Sequence, residues 1–163
     1  MLRKLPAADG PPALTNAPAI VERLLTEYAP GRWLLKPRDV AKLIQALKPL
    51  PGQDALAIAA PYAGAMIEQM GVAVTRIDGD DLTALPADAD YDVIICEGAV
   101  SRAPQAWLSA LKIGGRLGVV ERDGPVGKAV LYVRAEDGIG RRDLFDATPP
   151  VLKGFAAQHG FAF

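Results

Sequence analysis

The stretch that decides the fold runs Ala55-Leu56-Ala57-Ile58-Ala59-Ala60-Pro61-Tyr62-Ala63-Gly64-Ala65-Met66-Ile67-Glu68-Gln69-Met70-Gly71-Val72-Ala73-Val74-Thr75-Arg76-Ile77-Asp78. Its first six residues form an unbroken apolar run behind the break at Pro51-Gly52, a pattern that suits a strand buried on both faces. After Pro61 a short helical stretch runs through Met66, Ile67 and Met70, and Val72 to Ile77 returns as a second strand. Strand, helix and strand within one crossover unit predict a parallel pair. Further on, Tyr91-Asp92-Val93-Ile94-Ile95-Cys96 is a third buried strand, expected to stop at Glu97-Gly98. A helix is expected from Pro104 through Trp107, Leu108 and Leu111, closed by Gly114-Gly115, with Arg116 to Glu121 resuming as strand. The dipeptides Asp123-Gly124 and Asp137-Gly138 bound an antiparallel hairpin, Gly127–Arg134 with Ile139–Phe145. The fold class is therefore α/β, a mostly parallel sheet ending in a C-terminal antiparallel hairpin.

Two helices are expected ahead of this unit. Ile20, Val21, Leu24, Leu25 and Tyr28 share one face of a helix over Asn16–Tyr28 that Pro30-Gly31 stops, and Val40, Leu43, Ile44 and Leu47 line a second that starts at Pro37. Residues 1–14, rich in Pro, Ala and Gly, read as a flexible arm, and residues 15–163 as a single domain.

Composition narrows the chemistry. With 18 Lys+Arg against 19 Asp+Glu and 50% hydrophobic residues, the chain shows neither disorder by composition nor a basic field, so no nucleic-acid partner is expected. Cys96 is the single cysteine and His159 the single histidine, which excludes a disulfide framework and a Cys-rich zinc site. No apolar run approaches the roughly 20 residues of a membrane span, and the opening MLRKLPAADGPPAL has no apolar core for a secretory signal. A cytoplasmic protein with no membrane partner and no metal is the expectation.

Ligands of open α/β sheets sit beyond the carboxyl ends of the strands, which points to Ala59–Gly64, Asp78–Asp81 and Glu97–Ser101. An adenosine cofactor there needs glycines after the first strand and an acid after the second. Asp78 supplies the acid about 20 residues beyond Ala59, whereas the first loop offers only Gly64. Asp78, Asp80 and Asp81 read either as a ribose clamp or as a turn-forming acidic loop. Glu97 reads either as a cleft carboxylate or as a partner of Arg102 or Arg122. Cys96 reads as a small buried hydrophobe, Trp33 and Trp107 as core aromatics, and Arg141-Arg142 with Lys128 and Arg134 as a small basic patch or solvated hairpin residues.

Several stretches together resemble the protein-L-isoaspartate O-methyltransferase family. They are, in order, Leu35-Lys36-Pro37, the loop Leu56 to Ala63, Gly79-Asp80-Asp81, Tyr91-Asp92-Val93-Ile94, Val100 to Pro104, Leu111-Lys112-Ile113-Gly114-Gly115-Arg116-Leu117, and Leu144-Phe145-Asp146-Ala147 before Pro150-Val151-Leu152. The resemblance implies a Rossmann-like methyltransferase fold, S-adenosylmethionine as cofactor, and carboxyl methyl transfer to isoaspartyl residues of damaged proteins. Ala59, Pro61 and Ala63 correspond to loop glycines that face the methionine moiety; Asp78 and Asp80 would hold the cofactor, Glu97 completes the cofactor-binding set, and no catalytic residue is assigned. Leu35 stands where the family has an active-site hydroxyl, and the span from Asp78 to Tyr91 is too short for the usual second helix and third strand. The expectation is a shortened, degenerate member, a pseudoenzyme with cofactor binding and methyl transfer weakened or lost, acting as an interaction or regulatory scaffold for a protein partner. The alternative is an active S-adenosylmethionine-dependent carboxyl methyltransferase acting on a protein substrate. The shortening would leave Val72–Ile77 as a sheet edge, to be covered by the helix Asn16–Tyr28 or by a second copy in a homodimer.

Overall fold

A computed structural model describes residues 27–157 of the chain. The arm at 1–14, most of the helix expected over Asn16–Tyr28, and His159 lie outside the described residues. The last two residues of that helix are strand instead: β1 (Glu27–Ala29) pairs antiparallel with β2 (Arg32–Trp33) across Pro30-Gly31. Gly31, at φ +72°, takes the left-handed conformation the tight turn demands, so the pair that was expected to stop a helix instead turns a hairpin.

Next comes α1 (Pro37–Leu47), with Pro37 in its first turn and Lys48 as a left-handed cap whose N–H donates to the Ile44 carbonyl. The crossover unit follows as β3 (Asp54–Ile58), α2 (Pro61–Gln69) and β4 (Ala73–Ile77), then β5 (Tyr91–Val100), α3 (Gln105–Ser109), β6 (Leu111–Arg122), β7 (Gly127–Ala135) and β8 (Gly138–Asp146). The main sheet has the order β4-β3-β5-β6-β7-β8; β3 is parallel to β4 and β5, β5 is parallel to β6, and β7 and β8 complete it antiparallel. This is the Rossmann-like α/β arrangement with a C-terminal hairpin that the sequence predicts. Residues 78–90 hold neither helix nor strand, and among the described residues β4 is one edge of the sheet and β8 the other.

Alternation along β3 and β5 divides the core between two faces. Ala55, Ala57, Val93 and Ile95 pack with Val40, Leu43 and Leu47 of α1 and Ile67 of α2. Leu56, Ile58, Ile94 and Leu117 pack on the other face with Trp107 of α3 and with Leu82 from the irregular 78–90 segment. Trp107 is fully buried and its indole N–H donates to the Leu82 carbonyl at 2.9 Å, so the shortened connection is pinned across the face of the sheet. Trp33 is only half-buried, in the short hairpin rather than the core.

Two boundaries differ from the sequence reading. β5 does not stop at Glu97-Gly98: Ile95 pairs with Gly118 and Ala99 with Val120, so Cys96, Glu97 and Gly98 together face Val119 in a bulge that Gly98 permits at φ +128°. Gly114-Gly115 do not close α3, which ends at Ser109; they form an irregularity inside β6, between the pairs Tyr91–Leu111 and Val93–Arg116. Among the described residues no helix is long and apolar enough to cross a membrane.

Candidate functional site

Beyond the carboxyl ends of β3 and β4 the backbone folds tightly. Ala59 sits at φ +47°, a left-handed conformation that glycine adopts without penalty and alanine rarely does. Its N–H donates to the Ile77 carbonyl at 2.8 Å, and its own carbonyl accepts from the Tyr28 hydroxyl at 3.0 Å. Pro61 opens α2 without an amide to offer, and Ala60 at the cap position contributes no side-chain hydrogen bond.

The capping group comes instead from β5. Re-aimed by the bulge, the Glu97 side chain reaches the start of α2, where the Ala63 N–H donates to Oε1 at 3.0 Å. Glu97 is fully buried, and its Oε2 has no hydrogen-bond partner among the described residues. Burial raises its carboxyl to about 7, against the opposing pull of the Ala63 and Tyr62 amides. Burial likewise lifts the nearby Tyr28 hydroxyl to about 12; Arg32 opposes the rise, and Asp78, Glu97 and Cys96 add to it. The alternative reading of Glu97 as an ion-pair partner of Arg102 or Arg122 is not met; the Arg122 guanidinium donates to the carbonyls of Gly124, Thr148 and Pro149.

The acidic loop divides by role. Asp81 Oδ1 accepts from the Thr83 hydroxyl at 2.6 Å and the Thr83 amide at 2.9 Å, an Asx-turn that holds its carboxyl below the ordinary range. Asp78 and Asp80 line an open cleft of about 780 Å³ together with Arg32, Leu82, Leu152 and Lys153. Arg32 spans the end of β4, donating to the carbonyls of Asp78 and Gly79. The six predicted site residues thus form two groups, Asp78 and Asp80 in the cleft and Ala59, Pro61, Ala63 and Glu97 around the start of α2. Tyr28 and Arg32 of the β1–β2 hairpin lie against both. The sequence reading missed these two as site residues, although the Pro30-Gly31 turn between them was the available signal.

Leu35 is buried in the apolar layer under α1, so no hydroxyl enters the site from that position. Cys96 is fully buried and free, as expected of a small core hydrophobe. Three of the four basic hairpin residues are engaged locally: Arg141 pairs with Glu121 and Asp143 at 2.9 Å each, Lys128 with Asp146, and Arg134 donates to the Leu111 carbonyl. Among the described residues no group of three or more His, Cys, Asp or Glu is placed to hold a metal ion.

The sheet order is that of a Rossmann-like methyltransferase fold, with a cleft at the carboxyl edge of its strands. A protein-L-isoaspartate O-methyltransferase of Methylorubrum extorquens is 29% identical, over 76% of this chain and 67% of its own. That of Pseudomonas paraeruginosa is 41% identical over 47% of this chain and 36% of its own. Among solved structures, a Plasmodium falciparum protein-L-isoaspartate O-methyltransferase in complex with S-adenosyl-L-homocysteine superimposes with a TM-score of 0.66 at 14% identity, covering 78% of this chain and 79% of the other. A second solved protein-L-isoaspartate O-methyltransferase gives a TM-score of 0.65 at 17% identity, over 80% of this chain and 52% of the other. No family model matches the chain. In sequence the chain is similar to protein-L-isoaspartate O-methyltransferases, and its fold is similar to that of solved structures of that kind.

Proposed function

We propose that this chain is a degenerate relative of the protein-L-isoaspartate O-methyltransferases, with cofactor binding and methyl transfer weakened or lost, whose sheet serves as a scaffold for interaction with a protein partner or for its regulation. The observation that carries the reading is the loop after β3: it keeps a glycine-type turn at Ala59 but not the bare backbone a cofactor approaches. Ala59 and Ala63 bring methyl groups, Pro61 brings no amide, the Ala59 carbonyl is held by Tyr28 and the Ala63 amide by Glu97. The ribose end of S-adenosylmethionine fits Asp78 and Asp80 at the cleft; the methionine end does not fit the loop. At about 1 kcal/mol for each lost hydrogen bond, with desolvation added, affinity falls by one to several orders of magnitude. Calorimetry with S-adenosylmethionine is the test. The unaltered chain is expected to give no heat at micromolar ligand, and a variant with glycine at Ala59, Pro61 and Ala63 to recover measurable binding.

The open cleft beside Asp78 and Asp80 favours a second reading, an active carboxyl methyltransferase acting on isoaspartyl residues, in which catalysis would rest on positioning rather than on an acid or base. Tight binding of S-adenosylmethionine by the unaltered chain, with methylation of an isoaspartyl peptide, would establish this reading in place of the first.

A further inference from the structure

Helix α2 presents its first amides at the carboxyl end of the sheet with no cap from its own segment, since Ala60 has no side-chain acceptor. Such a terminus attracts anions through its free N–H groups and its dipole. The group that meets it comes from another element. Glu97, on the β5 bulge, is fully buried, and one carboxylate oxygen accepts from Ala63 while the other has no partner among the described residues. A serine at position 60 would cap α2 with a neutral hydroxyl in place of a buried carboxylate. The arrangement is that of a bound anion supplied by the chain itself. Of the groups around it, Tyr28, Cys96 and the start of α2 carry no formal charge, and Arg32, the nearby cation, is turned to the carbonyls of Asp78 and Gly79.

We propose that the N-terminus of α2 is a carboxylate subsite which the chain fills with its own Glu97, so that a carboxylate-bearing ligand of the cleft must displace this side chain to enter. The proposal deepens the degenerate-site reading, because it names one side chain that stands where the amino-acid carboxylate of S-adenosylmethionine would otherwise be drawn.

Two measurements at pH 8 test it. In the first, thermal unfolding of Glu97→Ala is followed in sodium formate and in sodium chloride of equal ionic strength. Formate is expected to raise the Tm of this variant above its value in chloride and to leave the unaltered chain and Glu97→Gln unmoved; an equal Tm in the two salts overturns the proposal. Glu97→Asp, which withdraws the carboxylate by one methylene, is expected to show a smaller response of the same kind and serves if the alanine variant does not fold. In the second, calorimetry compares S-adenosylhomocysteine with 5′-methylthioadenosine, which keeps the adenosine and lacks the carboxylate. Glu97→Ala is expected to bind S-adenosylhomocysteine about tenfold tighter than the unaltered chain, with methylthioadenosine unchanged. If S-adenosylhomocysteine binds the alanine variant equally or more weakly while methylthioadenosine still binds, Glu97 is a ligand of the cofactor and not its competitor, which overturns the proposal. A formate response without binding of either nucleoside supports the carboxylate subsite and removes the adenosine cleft instead.

Discussion

Glu97 couples the site to stability through its proton. Its folded-state pKa of about 7 lies above the ordinary carboxylate value because of burial, so between about pH 4.5 and 7 the folded chain holds a proton that the unfolded chain has released. The contribution is therefore fully present below the unfolded value and is lost as pH rises through 7. With a tenfold change in an equilibrium worth about 1.4 kcal/mol, the loss amounts to about 3 kcal/mol. Asp81, held low by Thr83, titrates at more acid pH. So does Asp92, whose burial is outweighed by the Asp54 amide and Lys112, so neither disturbs this window. Urea unfolding at pH 5 and pH 8 should show the unaltered chain less stable at the higher pH, and Glu97→Gln nearly indifferent; equal slopes for the two would remove Glu97 as the cause. At this scale the sequence revealed positions better than partners. Asp78 was singled out by its offset after a buried run, Asp80 by the family resemblance, and Glu97 by an expected strand end that the structure places instead in a bulge inside β5. That Glu97 bonds a helix amide was not legible, nor that Ala59 keeps a left-handed turn, because alanine carries no sign of the conformation that its neighbours impose on it.

The element that aims Glu97 is the β5 bulge, and Gly98 makes the bulge feasible. At φ +128° any other residue is strained, and a Cβ on Gly98 would lie 2.9 Å from the Leu152 side chain, itself buried and fixed by the Leu152 N–H to Ala99 carbonyl bond at 2.8 Å. Gly98→Ala is expected to destabilise the chain by about 2–4 kcal/mol in chemical denaturation and to shrink the pH response that Glu97 confers, since the carboxylate loses its aim. A loss under about 0.5 kcal/mol would mean that the bulge does not depend on glycine. The elements in the crossover unit were legible because their apolar runs and prolines agree locally with the fold. Two of the boundary errors fall at glycines. Glu97-Gly98 and Gly114-Gly115 carry the local sign of an ending, yet inside a sheet glycine also marks a bulge or a close approach. At Gly115 the approach is backbone to backbone, where a Cβ would lie 2.8 Å from both the Lys112 and Tyr91 carbonyl oxygens. Glu27 and Tyr28 were misassigned for a different reason, since the helical spacing of Ile20 to Leu25 runs into them without a break.

For the molecule as a whole, the shortened 78–90 segment determines which parts of the sheet end in the open. The sheet has two edges, and they differ in protection. β8 carries Arg141, Arg142, Asp143 and Asp146 along its length, charges that oppose pairing with another strand. β4 carries Arg76 alone, tied back to Glu68 of α2 at 3.2 Å, and Val74 and Ile77 on it are half-buried. Among the described residues the open row of backbone groups is thus on β4, where an antiparallel partner strand would continue the sheet. A two-fold pairing of β4 with its own copy would bring Thr75, at the centre of Ala73–Ile77, close to Thr75 of the second copy. Light scattering behind size-exclusion chromatography is expected to give twice the 17.2 kDa of the chain, rising toward that value with concentration. Thr75→Lys, which sets like charges together across the two-fold axis without touching the core, should return the mass to 17.2 kDa and leave the Tm of the isolated chain unchanged within a few degrees. If the unaltered chain measures 17.2 kDa at every concentration, self-pairing is excluded and the β4 edge is left to cover by the chain itself or by a different partner. Hydrogen exchange then separates these cases, because an edge covered within one chain protects the β4 amides at all dilutions, whereas an unpaired edge exchanges quickly until its partner is added.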